Sequence, residues 1–280
     1  MRPLLNLLLA VSAALVALSG CGGSGSSETA LPSPVAGTMI DIHNHILPGL
    51  DDGAKSRDEA VAMARLAVTD GIGTIIATPH WDATSRRPSP ASINAALQTI
   101  RTALAAEEVH LRLEAGDEVA LKPEVLEAAD AGELPTMVNS RYVLVELIDS
   151  VDWTTASQIV FGLIKRGYKP ILAHPEISLQ MAGGIERVLQ LRSKGALIQI
   201  TAASLAGFLG QDAQRWANEL LAETAVDLIA TDAHRPLRTL TSLELGRQAV
   251  SDILGPKAFE QMTVTTPTAI LEGDRDRDAV

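Results

Sequence analysis

From residue 39 onward the chain alternates between two patterns. Short runs of consecutive apolar and β-branched residues read as strands: "MIDIH" (39–43), "TIIAT" (74–78), "VHLRLEAGDEVA" (109–120, running into a loop), "RYVLVEL" (141–147), "KPILAH" (169–174), "ALIQIT" (196–201) and "VDLIAT" (226–231). Between them lie longer segments whose apolar residues recur three and four apart. These read as helices over 56–71, 89–108, 122–132, 154–167, near 183–195, over 211–223 and near 239–253. Ser56, with Glu59 three residues on, predicts an N-cap with a capping box, and Gly71 predicts the stop of the same helix. Strands that are apolar throughout are buried on both faces, as in a parallel sheet. Strands regularly separated by helices imply right-handed βαβ units. About seven such repeats predict a closed or nearly closed α/β barrel. An open doubly wound sheet is the alternative, but no Gly-rich nucleotide loop follows the first strand.

Composition narrows this picture. The chain has 280 residues, an ordinary length for one barrel, and 46% of them are apolar while only 3% are aromatic, so the core must be aliphatic. Asp and Glu number 34 against 23 Lys and Arg, with no basic run, which argues against nucleic acid as a partner. Acidic residues gathered in one place would instead hold cations. The first segment differs from the rest. Arg2 is followed by an apolar stretch over 4–18 and then by "LSGC" (18–21). This reads as a secretory signal, too short for a membrane span, with an ending that resembles a bacterial lipobox. The expected organisation is a signal peptide over 1–20, a lipidated Cys21 with a flexible tether over 21–37, and one folded domain over 38–280. That places the domain outside the cytoplasm in the cell envelope, held to the membrane only through the lipid on Cys21. It is cytoplasmic if the leader is not a signal. Cys21 is the only cysteine, so no internal disulfide forms.

The ionisable residues fall in a pattern of their own. The first strand ends at His43, with His45 beyond it and Asp52 in the following loop. The second leads to His80, the third to Glu118, the fourth ends in Glu146, the fifth in His174, and the last is followed by Asp232 and His234. In a β/α barrel all strand C-termini converge on one face, where the active site lies. Five of the six histidines belong to this set, and only His110 stands apart. One such histidine would read as a hydrogen-bonded structural residue; the whole set reads as a metal site. Mixed imidazole and carboxylate donors suit Mn²⁺, Fe²⁺, Zn²⁺ or Co²⁺. Nine candidates exceed the needs of one ion, and two or three ions sharing carboxylates is the arrangement of phosphate-ester hydrolysis.

At these residues the chain resembles a known family. "DIHNHILPGLDDG", "TPH", "SRYVLVEL", "LAHPE" and "TDAH" are similar, in that order, to the polymerase and histidinol phosphatase (PHP) superfamily. Within it they resemble the bacterial manganese-dependent protein-tyrosine phosphatases of the CpsB/CapC/YwqE type, encoded with capsule and exopolysaccharide genes. The resemblance runs from Met39 to about Leu271. It implies a distorted (β/α)7 TIM-like barrel and a cluster of two or three Mn²⁺ ions on His43, His45, Asp52, His80, Glu118, Glu146, His174, Asp232 and His234, with Glu118 bridging. Asp51 is read as a turn residue or a support behind the ligands. The implied activity is hydrolysis of phosphotyrosine by a metal-activated hydroxide, with tyrosine kinases of polysaccharide export as partners. No cysteine of the domain is available for a phosphoenzyme. The family adds arginines for phosphate charge. Arg235 or Arg238 could supply one, and the spacing favours Arg238; at the other such position this chain has Ile177. The kinase substrates present their tyrosines in the cytoplasm, whereas a lipoprotein faces outward. A small or envelope-associated phosphate ester, histidinol-phosphatase-like or a sugar phosphate, is therefore the alternative substrate, and an inactive metal-binding lipoprotein the third reading.

Overall fold

The computed structural model describes residues 38–178 and 184–273. The expected leader, Cys21 and tether over 1–37 lie outside the described residues. Among the described residues nine strands form: β1 (Met39–Asn44), β2 (Ile72–Ala77), β3 (His80–Trp81), β4 (Arg112–Ala115), β5 (Glu118–Ala120), β6 (Tyr142–Glu146), β7 (Lys169–Ala173), β8 (Leu197–Thr201) and β9 (Leu228–Ala230). Every pairing is parallel, in two sheets ordered β1-β2-β4 and β3-β5-β6-β7-β8-β9.

The nine strands amount to seven barrel staves. β2 and β3 are two halves of one stave broken at Thr78 and Pro79, and β4 and β5 are halves broken at Gly116 and Asp117. Backbone hydrogen bonds cross the breaks, from Thr78 N to Asn44 O (2.9 Å), Gly116 N to Ala77 O (2.9 Å) and Glu118 N to Pro79 O (3.2 Å). The expected single strand over 109–120 is thus divided. Gly116 marks the reason: a Cβ there would sit 2.9 Å from the Ile76 side chain, so the backbone passes where no side chain fits. The first and last staves meet through one bridge, Asn44 with Ala233, supported by His45 N to Ala233 O (3.0 Å) and Asp232 N to His43 O (2.9 Å). The barrel is distorted, its circle carried by short contacts at these points rather than by a full ladder.

The helices are α1 (Arg57–Thr69), α2 (Pro90–Ala106), α3 (Glu124–Ala131), α4 (Trp153–Lys165), α5 (Glu186–Ser193), α6 (Ala202–Leu205), α7 (Gln211–Ala222), α8 (Arg247–Leu254), α9 (Pro256–Glu260) and α10 (Thr266–Glu272). Ser56 caps α1 by accepting from Glu59 N at 3.2 Å, and Gly71 follows the helix at φ 85°, as expected; the Glu59 carboxylate, however, accepts from Lys55 N (2.8 Å) rather than from Ser56 N as the expected capping box requires. Two further features differ from expectation. The helix expected near 239–253 begins as a 3-10 turn over Glu244–Gly246 that leads into α8 at Arg247, after a non-helical segment in which Ser242 Oγ donates to Asp70. The segment after residue 255 is helical as well, as α9, a π-helical turn (Gln261–Thr265) and α10. None of the described helices is long and apolar enough to cross a membrane.

The core has two layers. The outward strand residues, such as Ile75, Val119, Val143, Val145, Leu172, Ile198 and Ile229, pack on the helices. The inward ones, Ile40, Ile42, Ile76, Leu144, Ile171 and Leu228, form a smaller cluster completed by Met137, Ile270 and Leu271. This inner cluster fills the barrel at the strand starts, which leaves the strand ends for polar residues.

Candidate metal centre

The site is built from strand ends. In β1, three residue steps from Asp41 to Asn44 face two from Ile75 to Ala77 in β2, a β-bulge. Strict alternation would send Ile42 and His43 to opposite faces. With the extra residue, Ile42 joins the inner cluster while His43, next to it, faces Glu118 and Asp232. The loop after β1 turns back on itself, so that Ala54 N donates to His45 O (3.0 Å) and Asp51 and Asp52 lie beside His45. Gly53 is packed so closely that a Cβ would lie 2.1 Å from His45 O and 2.5 Å from His45 Cβ.

The breaks in the second and third staves set two more donors. His80 opens β3 and Glu118 opens β5, paired side by side in register. Glu146 ends β6. His174 directly follows β7 and Asp232 stands two residues past the end of β9, and both adopt left-handed backbone, φ 27° and φ 53°. Such conformations are strained for non-glycine residues and persist where the surroundings require them. Here they turn the side chain of the residue leaving the strand in toward the barrel axis.

All nine expected donors come together in four overlapping groups, in each of which the ligand atoms lie within 4.8 Å of one another: His45, Asp52, His80 and His234; His43, Glu118 and His174; His43, His45 and Asp232; His80, Glu118 and Glu146. Two carboxylate oxygens carry the strongest indication of what fits there. Glu118 Oε2 is buried and has no hydrogen-bond partner, yet lies 2.9 Å from His80 Nδ1, 3.2 Å from His43 Nε2 and 3.4 Å from His45 Nε2. Asp232 Oδ1, equally unpartnered, lies 3.3 Å from both His43 Nε2 and His45 Nε2. Buried carboxylate oxygens without hydrogen bonds are expensive unless a cation meets them. A nitrogen and oxygen donor set of this kind, with lone pairs converging, fits divalent metal ions.

The electrostatics agree. Burial opposes charge on His45 and His174, but the facing carboxylates outweigh it. Asp232, Asp51 and Glu118 raise His45 well above the usual histidine range, and Asp232 and Glu118 raise His174 to about 10. Burial would likewise push Glu118 and Asp232 up, yet the imidazoles around them hold both well below the carboxylate range. Glu146 is raised, by burial first and by the nearby Glu118 charge second. Without metal, protons on imidazoles balance the carboxylates; a metal ion would take the place of those protons.

A polar partner escaped the sequence reading. Gln199, wholly buried in β8, accepts from His43 Nδ1 at 3.0 Å. Its spacing within an apolar strand was the only available signal. Asp51, read as a turn residue or a support, accepts from His45 Nδ1 at 2.7 Å. Arg238 lines a surface hollow with Asp70, Thr239, Ser242, Glu244 and Leu245. Asp70 caps the C-terminal end of α1, which lies at the opposite end of the strands from the donors, so the chain has already turned away from them by residue 238. Arg235 is the arginine beside the donors: its Nη1 donates to the carbonyls of Asp52 (2.7 Å), Gly53 (2.5 Å) and His234 (2.9 Å). Ile177, after His174, is 39% exposed.

Comparison with known proteins follows the same residues. Residues 39–272 match the family model for capsular polysaccharide synthesis, CpsB/CapC. The tyrosine-protein phosphatase YwqE of Bacillus subtilis (strain 168) is 36% identical over 197 residues, covering 70% of this chain and 77% of that protein. The tyrosine-protein phosphatase CpsB of Streptococcus pneumoniae is 25% identical over 238 residues, covering 83% of this chain and 98% of that protein. A chain from the crystal structures of YwqE and CpsB, described as unique metal-dependent tyrosine phosphatases, matches with a TM-score of 0.75 at 30% identity, covering 84% of this chain and 94% of that one. A histidinol phosphate phosphatase from Lactococcus lactis shares the fold at 14% identity and a TM-score of 0.51, covering 76% of this chain and 94% of that one.

Proposed function

The chain belongs to the CpsB/CapC family of capsular polysaccharide synthesis, and from that premise we propose that it is a metal-dependent phosphomonoesterase that hydrolyses phosphotyrosine on protein. The observation that carries this reading is the convergence of nine nitrogen and oxygen donors around two buried, unpartnered carboxylate oxygens. When bound, divalent ions supply polarisation of the phosphate oxygens and an acidified water for attack in line at phosphorus. The residues divide the remaining work. His43, Glu118 and His174 are buried and form the closed floor of the site. Asp52, His80, Glu146 and His234 keep solvent exposure and line its open side, where the ester would enter. Arg235 brings a fixed guanidinium to that open side, next to Asp52 and His234, where phosphate charge would arrive. The nucleophile cannot be a cysteine of this domain, since Cys21 is the only thiol.

The finer points belong to the same proposal. The donor set contains imidazole and carboxylate but no thiolate, which suits Mn²⁺, with Fe²⁺, Co²⁺ and Zn²⁺ as competitors. The partner is a tyrosine-phosphorylated protein, such as a kinase of polysaccharide export. The "LSGC" leader supports lipidation of Cys21 and an extracytoplasmic address; mass spectrometry showing an intact, unlipidated Met1 terminus would refute both. The exposed Ile177 and that leader favour a second substrate class, a small or envelope-associated phosphate ester.

The test is hydrolysis by the purified protein with Mn²⁺, on phosphotyrosine peptides against a panel of sugar and nucleotide phosphates. Preference for the peptides is expected; preference for the small esters would replace the first reading by the second. His43→Ala and Asp232→Ala should each abolish hydrolysis and lower bound metal, and undiminished activity in either would remove the cluster from the mechanism.

A further inference from the structure

The cations on the loops at the donor end of the barrel are of two kinds. Some are bound into the protein. Lys122, after β5, donates to Asp82 Oδ2 and Thr84 Oγ1, both at 2.7 Å. Arg87 donates to Ala83 O (2.8 Å), lies 3.6 Å from Glu133 and covers the Trp81 ring. Arg235 is held by three carbonyls. Lys55, after β1, and Arg86, after β3, differ. Both are exposed, and neither the ammonium nor the guanidinium has a hydrogen bond or ion pair to a described residue.

The loops that carry these two cations are nevertheless fixed. Asp82 holds the loop after β3 from within. Its carboxylate accepts from Thr84 N and Thr84 Oγ1 (both 2.8 Å), Ser85 Oγ (2.9 Å) and Lys122 Nζ (2.7 Å), and its N donates to Arg86 O (2.6 Å). Asp82 directly follows β3, which opens at His80, so that last bond returns the Arg86 backbone to the end of this two-residue strand. In the loop after β1, Asp51 Oδ2 accepts from His80 N (3.1 Å) and Ala54 N donates to His45 O (3.0 Å). Lys55 directly follows Ala54. The two free cations thus leave the backbone from two loops that adjoin His80, at the open side where His45, Asp52, His80 and His234 gather.

A cation that folding does not use is available to a ligand, and a loop already ordered loses little freedom in binding one. The chain carries 34 Asp and Glu against 23 Lys and Arg, so its overall field does not draw in acidic partners. Local free cations are then what an acidic segment would meet. Arg235, tied beside Asp52 and His234, is the guanidinium for the phosphate. Lys55 and Arg86, exposed on the rim, are left for the residues that flank it.

We propose that Lys55 and Arg86 form a recognition patch for carboxylates flanking the phosphotyrosine, which makes an acidic protein segment the substrate class. The proposal rests on the phosphotyrosine reading above.

The test compares kcat/KM of the full chain with Mn²⁺ on two phosphotyrosine peptides, one flanked by Asp and Glu and its twin with Asn and Gln in their place. The ratio of the two cancels any effect of a substitution on chemistry or metal loading, and circular dichroism verifies the folding of each variant. The wild type should favour the acidic peptide through KM, with each exposed ion pair contributing about two- to fivefold. Arg86→Ala and Lys55→Ala should each lower the ratio by that factor, and the double variant should bring it to about one. Arg86→Lys should keep most of it, because the charge is retained. Exposed charge is screened by salt, so the wild-type ratio should also fall as ionic strength rises. A ratio that salt does not change, a wild-type ratio in the double variant, or an Arg86→Lys variant no better than Arg86→Ala overturns the proposal. If a variant fails to fold, the salt dependence of the wild type decides. Hydrolysis of both peptides by the wild type at equal kcat/KM overturns the proposal alone, whereas hydrolysis of neither sinks the phosphotyrosine reading and the proposal with it.

Discussion

His174 shows at the scale of one side chain what the cluster asks of its members. Its backbone is held at φ 27°, its ring nitrogen lies 3.0 Å from Glu118 Oε1, and its pKa is raised to about 10 because Asp232 and Glu118 outweigh burial. The raised value lies above the ordinary 6.5, so the stabilisation from protonated His174 in the metal-free protein is complete below about pH 6.5 and is lost as pH rises through about 10. A metal ion competes for the same nitrogen. Mn²⁺ affinity should therefore strengthen from about pH 6 to about pH 9, by up to about tenfold per pH unit for each proton displaced. Calorimetry in buffers of different ionisation enthalpy would show the protons leaving; an affinity flat across that range would contradict the assignment. Individual donors of this kind were legible in the chain because each one interrupts or directly follows an apolar run. Gln199 was not, because a glutamine inside a strand looks the same whether it faces a ligand or a void.

At the scale of elements, the site depends on departures from regular structure. The bulge in β1 aims His43, the breaks between β2 and β3 and between β4 and β5 present His80 and Glu118, and the turn over 51–53 wraps around His45. Gly53 makes that turn possible, since a Cβ would meet His45 O at 2.1 Å. Gly53→Ala should leave the barrel folded but displace His45 and Asp52, lowering turnover about a hundredfold, as ångström-scale misplacement of catalytic groups does. Activity within a factor of about two of wild type would show that the turn has slack. The capping of α1 and the order of helices were readable from local spacing. The breaks were not, because pairing across Thr78, Pro79, Gly116 and Asp117 depends on neighbouring strands distant in sequence.

Across the whole molecule, the barrel is filled at one end by aliphatic side chains and at the other by donors. Ile270 and Leu271 reach the inner cluster from α10, packing with Ile40, Leu144, Ile171 and Leu228. Ile270→Ala should lower stability by about 2–5 kcal/mol, measured by denaturant unfolding, because the cavity lies where nothing can collapse into it. A loss below about 1 kcal/mol would mean that the barrel base is loosely packed. This contribution of the C-terminal segment was invisible in the chain pattern, which ended its helices near residue 253. The segment carries Thr263, Thr265, Thr266 and Pro267, a poor helix composition, and its tertiary contacts override that propensity.

The sequence by itself determined the alternation of strands and helices, the parallel class of the sheet and which nine ionisable side chains converge at the strand ends, because periodicity and residue chemistry are local and strand ends in such a fold face one way. Only the tertiary structure decided which donors lie together, that Arg235 and not Arg238 stands beside them, and that Asp51 and Gln199 stand behind different histidines. Those outcomes hang on hydrogen bonds between residues as far apart as 43 and 199. Such pairings are set by how the staves register around the barrel, which no local pattern along the chain encodes.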